Sequence, residues 1–371
     1  MKAIMLLLTS VLMVSCFFIS CQSQVPATPL VEKPVMLTEA EIINLIGSEA
    51  SVFTRHIEFE KMPLKPYSGK TWIGKGISYG CYREGQAPNK KGPSEEEILE
   101  DLNILSPYWN LIRVYGSDDD SQRLLKVIEE NKLPFQVMLG VWLENETKHP
   151  ERRLENLKQV GRAITLANRY PDLVAAINVG NESQVSWSWH RMEMDVLIRY
   201  IRAVRQYTDL PITTSDDYNF WNKAESKTVA DEIDFISLHA YALWNGILLD
   251  HAIAWTDSVY QDIKFKHPDL DIILSETGWA NIYNPENIGP GAQGTLMKAE
   301  VSLWAQQQFI TDFWKWSENN QITTFLFEAF DEPWKGGGDQ SGPNEVEKHW
   351  GVFNEDRTPK ASFTNYLNQN N

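Results

Sequence analysis

Residues 174–182 read Val174-Ala175-Ala176-Ile177-Asn178-Val179-Gly180-Asn181-Glu182, a short apolar run that stops at a glycine and ends on a polar pair. With so little alternation of polar and apolar residues, a strand built from Val174–Val179 must be covered on both faces. Strands of that kind belong to parallel sheets whose crossovers are helices. The flanking sequence fits: Arg153–Arg169 before it and Met192–Tyr207 after it carry helical spacing of apolar residues.

Working outward, seven more apolar runs are found at Trp72–Tyr79, Leu111–Tyr115, Pro134–Trp142, Pro211–Ser215, Ile233–Leu238, Asp271–Ser275 and Ile322–Phe330. Helical patterns separate them at Ser94–Leu105, Gln122–Asn131, Asp250–Lys264 and Ala299–Ser317. Ser94-Glu95-Glu96-Glu97 has the form of a capped helix start. Eight strand–helix units in one stretch predict an α/β fold, a (β/α)8 TIM barrel forming a single domain over residues 71–371. A doubly wound open sheet would place a Gly-rich phosphate turn after its first strand, whereas Gly74-Lys75-Gly76 lies inside the first run.

Residues 1–20 read as an export signal, with Lys2 ahead of an apolar stretch from Ile4 to Ile19. The segment Phe18-Ile19-Ser20-Cys21 resembles a bacterial lipobox, so Cys21 is the expected lipidation site, ahead of Cys16. Residues 21–70, with Pro26, Pro29 and Pro34, are expected to be a tether with a short decoration, including a helix that starts near Thr38. The expected location is the outer membrane, reached only through the lipid. Cys81 is the one cysteine past Cys21, which excludes an internal disulfide in the folded domain.

The sequence of 371 residues has 34 basic and 50 acidic residues, a formal charge of −16. That balance excludes nucleic acid as a partner and disfavours acidic polysaccharides, leaving neutral sugars. His149, His190 and His239 are scattered without metal-ligand spacing, and no nucleotide fingerprint is present. Neither a metal nor a cofactor is expected, and the protein is expected to be a monomer.

In a barrel the strand ends carry the chemistry. The fourth strand delivers Asn181-Glu182 there, and the seventh delivers Ser275-Glu276-Thr277-Gly278-Trp279. Two carboxyl groups on one rim are what glycoside hydrolysis needs: one protonates the leaving oxygen, and the other attacks or activates water.

Six segments follow one another along the chain: Gly76-Ile77-Ser78-Tyr79-Gly80 with Tyr82-Arg83-Glu84-Gly85-Gln86; Ile112-Arg113-Val114-Tyr115-Gly116; Val179-Gly180-Asn181-Glu182; Ser275-Glu276-Thr277-Gly278-Trp279; Phe330-Asp331-Glu332-Pro333-Trp334-Lys335; and Glu347-Lys348-His349-Trp350-Gly351-Val352-Phe353. In them the chain resembles glycoside hydrolase family 17, the β-1,3-glucanase family, more in its bacterial than its plant branch. The resemblance spans nearly all of Gly76 to Lys360. It implies Glu182 as general acid/base, Glu276 as nucleophile, and a retaining, endo-acting hydrolase of laminarin-type β-1,3-glucan. A β-1,3-glucan transglycosylase using the same residues, or an inactive glycan-binding surface lipoprotein, is the alternative.

Around that pair, Arg113 and Tyr115 end the second strand, and an Arg beside the nucleophile would keep it ionised. Asn181 is expected on the sugar 2-hydroxyl, and Tyr79 on the sugar or the nucleophile. His239, Tyr241 and Trp279 are expected along the cleft, Glu332 and Lys335 in support of the acid/base, and Glu328 as a buried partner for Arg113. Of Trp142, Trp187, Trp189, Trp221, Trp244, Trp279 and Trp334, three or four are expected to touch sugar, while Trp304, Trp314 and Trp316 are assigned to packing. Ala242-Leu243-Trp244-Asn245 departs from the family's Pro-Tyr pattern, which leaves that loop's sugar contacts open. The plant branch's extra subdomain near the sixth helix is not expected, because Leu243 to Asp271 holds only a loop and one helix. The segment Ala280–Lys298 is expected to form the cleft's variable wall.

Overall fold

The computed structural model describes residues 37–48, 52–284, 286, 294–335 and 346–370. Residues 1–36, with the expected export signal, the lipobox and the proline-bearing start of the expected tether, lie outside them, as do part of the expected variable wall and residues 336–345.

The eight runs form β1 (Lys75–Ser78), β2 (Leu111–Arg113), β3 (Gln136–Val141), β4 (Val174–Asn181), β5 (Ile212–Asp217), β6 (Ile236–His239), β7 (Ile272–Thr277) and β8 (Thr324–Leu326). Each pairs in parallel with the next and β8 pairs with β1, closing the barrel. Ahead of it lies α1 (Glu39–Ser48), whose buried Ile42 and Ile46 join the core. The crossovers are α2 (Glu95–Leu105), α3 (Asp119–Asn131), α4 (Arg153–Arg169) and α5 (Met194–Tyr207), then the short α6 (Tyr218–Trp221) and α7 (Ser226–Ala230). They continue with α8 (Leu249–Lys266) and α9 (Leu303–Asn320), and α10 (Ala361–Asn370) follows the last strand. Helix α2 starts on the capping box read from Ser94 and Glu97. Between β6 and β7 there is one helix, α8, and no added subdomain.

The first and last runs are cut most as strands, for physical reasons. Trp72 belongs instead to a small antiparallel hairpin, Tyr67–Ser68 with Thr71–Trp72. Its indole folds back over Gly74, into space that a Cβ there would fill. After Phe327, whose N–H still donates to Thr277 O, the chain takes new partners: Val352 N–H donates to Glu328 O, and Phe330 bridges Phe353.

Side-chain alternation positions the site. Leu111, Met138, Ala176, Ile273 and Phe325, from five strands, and Phe235, just ahead of β6, meet in one buried cluster that fills the barrel interior, with Leu64 and Ile73 joining it. Two residues further along, the same inward face turns polar, with Arg113, Asn178 and Ser237. Ser215 on β5 joins them by donating to Asn178 Oδ1 at 2.7 Å and lying 2.7 Å from Ser237 Oγ. The next step along β6 is His239. An apolar floor thus supports a polar layer, and the reactive groups sit above it.

Candidate active site

Two backbone irregularities aim the glutamates. The β4–β5 register shifts between Asn178 and Asn181, with Gly180 at φ 80° and Glu182 at φ 47°. A left-handed glutamate is strained, and such strain persists where the surroundings hold it. Here Glu182 N–H donates to Ser215 O at 2.8 Å. On β7, Ile273 and Ser275 continue the inward face, so strict alternation would turn Glu276 outward. The β6–β7 register shifts after Leu238, so that His239 lies opposite Glu276. A one-residue shift exchanges the faces of a strand and brings this carboxylate into the barrel mouth.

Glu276 is firmly held. Its Oε1 accepts from Arg113 Nη1 at 2.6 Å and its Oε2 accepts from the Tyr241 hydroxyl at 2.8 Å. Arg113, fully buried, also donates through Nη2 to Asn181 Oδ1 at 2.6 Å. Burial pushes the Glu276 carboxyl up; the His239 ring, the Arg113 guanidinium and the hydrogen bonds from Tyr241 and Arg113 outweigh it and hold the carboxyl below the usual glutamate range. Glu182 is more open to solvent, with Oε1 3.2 Å from His239 Nδ1.

One oxygen of each glutamate and one ring nitrogen of His239 lie within 4.8 Å of one another. So close an approach of single oxygens suits the about 5–5.5 Å carboxyl separation of retaining pairs better than the about 6.5–9.5 Å of inverting ones. The trio does not fit a resident cation. Both Glu276 oxygens already accept hydrogen bonds, one of them from a guanidinium that would repel a metal.

The pair opens onto a cleft of about 1460 Å³, beyond the about 300–1,000 Å³ of sites for one small ligand. Trp142, Trp187 and Trp189 line one part of it, Trp244 and Trp350 another, and Tyr82 with Trp334 a third. Trp187 and Trp189 are 55% and 71% exposed, so their faces are free for stacking. From the expected variable wall, Leu296 reaches the cleft.

Several expected residues have other tasks. Trp279 is buried, donates to Glu300 O and packs on Phe309, so it offers no surface to sugar. Tyr79 spends its hydroxyl on buried Asp101, which Arg83 and Arg357 also bind. Arg113 and His239 are both fully buried and contact carboxylates, not substrate. Glu328 pairs with Lys335 at 2.6 Å and not with Arg113. Lys335 also binds Glu332 at 2.5 Å, which in turn accepts from Trp334 Nε1. Gly80 leaves the space in which the Glu332 carboxylate sits. Trp221 is core, and Trp304, assigned to packing, is exposed on α9. Trp244 and Asn245 do line the cleft, which settles the place of that loop.

Among the cleft carboxyls that the sequence reading did not single out, two lie close enough to Glu182 to feel its charge. Asp217 ends β5, and burial together with Glu182 raises it to about 6. Glu347 follows the second half of the β8 region; burial, with Glu182 and Glu276 nearby, pushes it up to about 7 against the pull of Lys335. A strand-end position signals Asp217, and Glu347 opens one of the six segments quoted above.

The electrostatics yield a first prediction. Arg113→Met removes two of the influences that hold Glu276 ionised, so the acidic limb of the kcat/KM profile should move to higher pH. Breaking a buried pair also costs about 3–5 kcal/mol of stability. An acidic limb unchanged in a folded variant would show that Arg113 does not govern Glu276.

Comparison with known proteins agrees with this geometry. The BtgE/BtgC glycoside hydrolase domain matches residues 76–351. The glucan endo-1,3-beta-glucosidase btgC of Emericella nidulans is 27% identical over 288 residues, 74% of this chain and 43% of its own length. The glucan 1,3-beta-glucosidase of Schizosaccharomyces pombe is 26% identical over 287 residues, 72% of this chain and 80% of its own. The chain spans about two fifths of the length of the btgC relatives it is compared with. Among solved structures, an endo-laminarinase from Formosa superposes with a TM-score of 0.69 at 24% identity, covering 82% of this chain and 90% of its own. A family 17 β-1,3-glucanosyltransferase from Rhizomucor miehei gives 0.61 at 24% identity, covering 77% and 95%; both show the shared barrel. Since the match runs from inside β1 to Gly351 and takes in both rim glutamates, the chain belongs to the BtgE/BtgC glycoside hydrolase domain family.

Proposed function

We propose that the protein hydrolyses β-1,3-glucan at internal bonds, by double displacement with retention. Glu276 is the nucleophile and Glu182 the acid/base. The observation that carries this reading is the close pair in which one carboxylate is held ionised by Arg113 and Tyr241 while the other stays open to the cleft. Glu182 protonates the glycosidic oxygen as Glu276 attacks C1. It then takes a proton from the water that releases the glycosyl-enzyme.

A neutral glucan suits the acidic chain, and the exposed Trp187 and Trp189 give glucose rings faces to stack on. Relatives bear endo-1,3-glucosidase names, which supports the substrate class. The active unit is taken as a monomer, because one chain supplies both glutamates and the cleft walls. Incubation with unbranched and β-1,6-branched β-1,3-glucans should release a ladder of oligosaccharides from the unbranched polymer. Release of glucose alone would point to end-wise attack. Products longer than the starting oligosaccharide would favour transfer.

The reading places the enzyme on the outer membrane through lipid on Cys21, supported by the signal-like residues 1–20 and the lipobox sequence. Wild-type protein should need detergent for extraction, whereas Cys21→Ser should be released or left unprocessed. A fatty-acid label confined to Cys16 would move the anchor.

A further inference from the structure

His239 has no part in the steps just described, yet it meets both carboxylates. Nδ1 lies 3.2 Å from Glu182 Oε1 and Nε2 lies 3.3 Å from Glu276 Oε1, on a ring with no exposed surface. It does not line the cleft, so binding sugar is not its task.

The two contacts differ in kind. Nδ1 faces Glu182 in hydrogen-bond geometry, whereas Nε2 has no aligned partner. A neutral imidazole has one N–H. On Nε2 it would be a buried donor without an aligned acceptor; on Nδ1 it is satisfied by Glu182. A doubly protonated ring keeps the same Nδ1 bond.

We propose that His239 is a positioning residue for the acid/base: its Nδ1–H donates to Glu182 Oε1, which confines the exchangeable proton of Glu182 to Oε2. The inference rests on the retaining hydrolysis proposed above. In the first step the Oε2 proton passes to the glycosidic oxygen, the C1–O bond breaks and a Glu276–C1 bond forms. Glu182 is left as a carboxylate, and its bond from Nδ1–H becomes charge-assisted and stronger. In the second step the water oxygen bonds to C1, its proton goes to Glu182, and the Glu276–C1 bond breaks. His239 keeps its proton throughout. The register shift that sets His239 opposite Glu276 therefore serves both glutamates.

The test compares kcat/KM, which reports cleavage of the glycosidic bond, on two substrates. One is unbranched β-1,3-glucan. The other is a dinitrophenyl β-laminarioligoside, whose phenolate leaves without protonation. The proteins are the wild-type chain, Glu182→Gln, His239→Leu and His239→Asn. His239→Leu should lose about 10²-fold on glucan, the scale of a misplaced catalytic group, and under about 10-fold on the aryl substrate. His239→Asn restores a short N–H donor and should stay within about 10-fold of wild type on both.

Equal losses of His239→Leu on both substrates, or an Asn variant as poor as Leu, would overturn the inference, since a merely structural residue affects both substrates alike. If His239→Leu does not fold, His239→Asn decides. Near-normal rates on both substrates support the inference, and proportional losses on both refute it. When Glu182→Gln shows the leaving-group dependence and His239→Leu does not, only the inference falls. When Glu182→Gln itself lacks it, the acid/base assignment falls and takes the inference with it.

Discussion

Glu276→Gln should abolish turnover on every substrate, polymer and activated aryl glycoside alike. Glutamine keeps the shape and can still meet Arg113 and Tyr241, so the fold of the barrel mouth should survive. What it lacks is the anionic oxygen that bonds to C1, and leaving-group acidity cannot replace a nucleophile. The loss should exceed the about 10²–10⁴-fold attributed to acid/base assistance alone. Arg113 then keeps a buried charge without its counter-ion, so the melting temperature should also fall. Activity on the aryl glycoside near that of wild type would remove Glu276 from the nucleophile's role.

Glu182→Gln should behave differently. On β-1,3-glucan the leaving sugar needs a proton, and kcat should fall by about 10²–10⁴-fold. On the dinitrophenyl substrate, cleavage should stay fast while release slows, because water has lost its base. A burst of phenolate followed by a slow steady state is the expected trace. Azide, which needs no base, should speed that slow phase and give a β-glycosyl azide. Wild-type rates on polymer, or no response to azide, would contradict the assignment.

Much of this was legible because it depends on local pattern. Continuous apolar strands such as Val174–Val179, alternating with helices, imply a parallel barrel, and strand ends imply the rim. Both glutamates follow from that. What was hidden depends on register and long-range packing. Alternation alone would have turned Glu276 outward, and only the shift against β6 brings it to His239. Trp279 stands two residues beyond Thr277, the end of β7, as a cleft aromatic would, but its indole turns back onto Phe309 and Glu300. Tyr79 and Glu328 could not be placed without knowing that Asp101 comes from α2 and that Lys335 folds back to 2.6 Å from Glu328. A residue that touches two others from separate strands leaves no trace in local spacing. His239, read as a sugar contact, is the example.

Double displacement at Glu276 and Glu182 is tested most directly by the configuration of the first sugar released. Purified protein is mixed with unbranched β-1,3-glucan, and the anomeric protons are followed by NMR before mutarotation sets in. Retention is expected: the β-anomer appears first, and the α-anomer grows only at the rate of mutarotation. Initial release of the α-anomer would mean a single displacement and contradict the roles given to both glutamates.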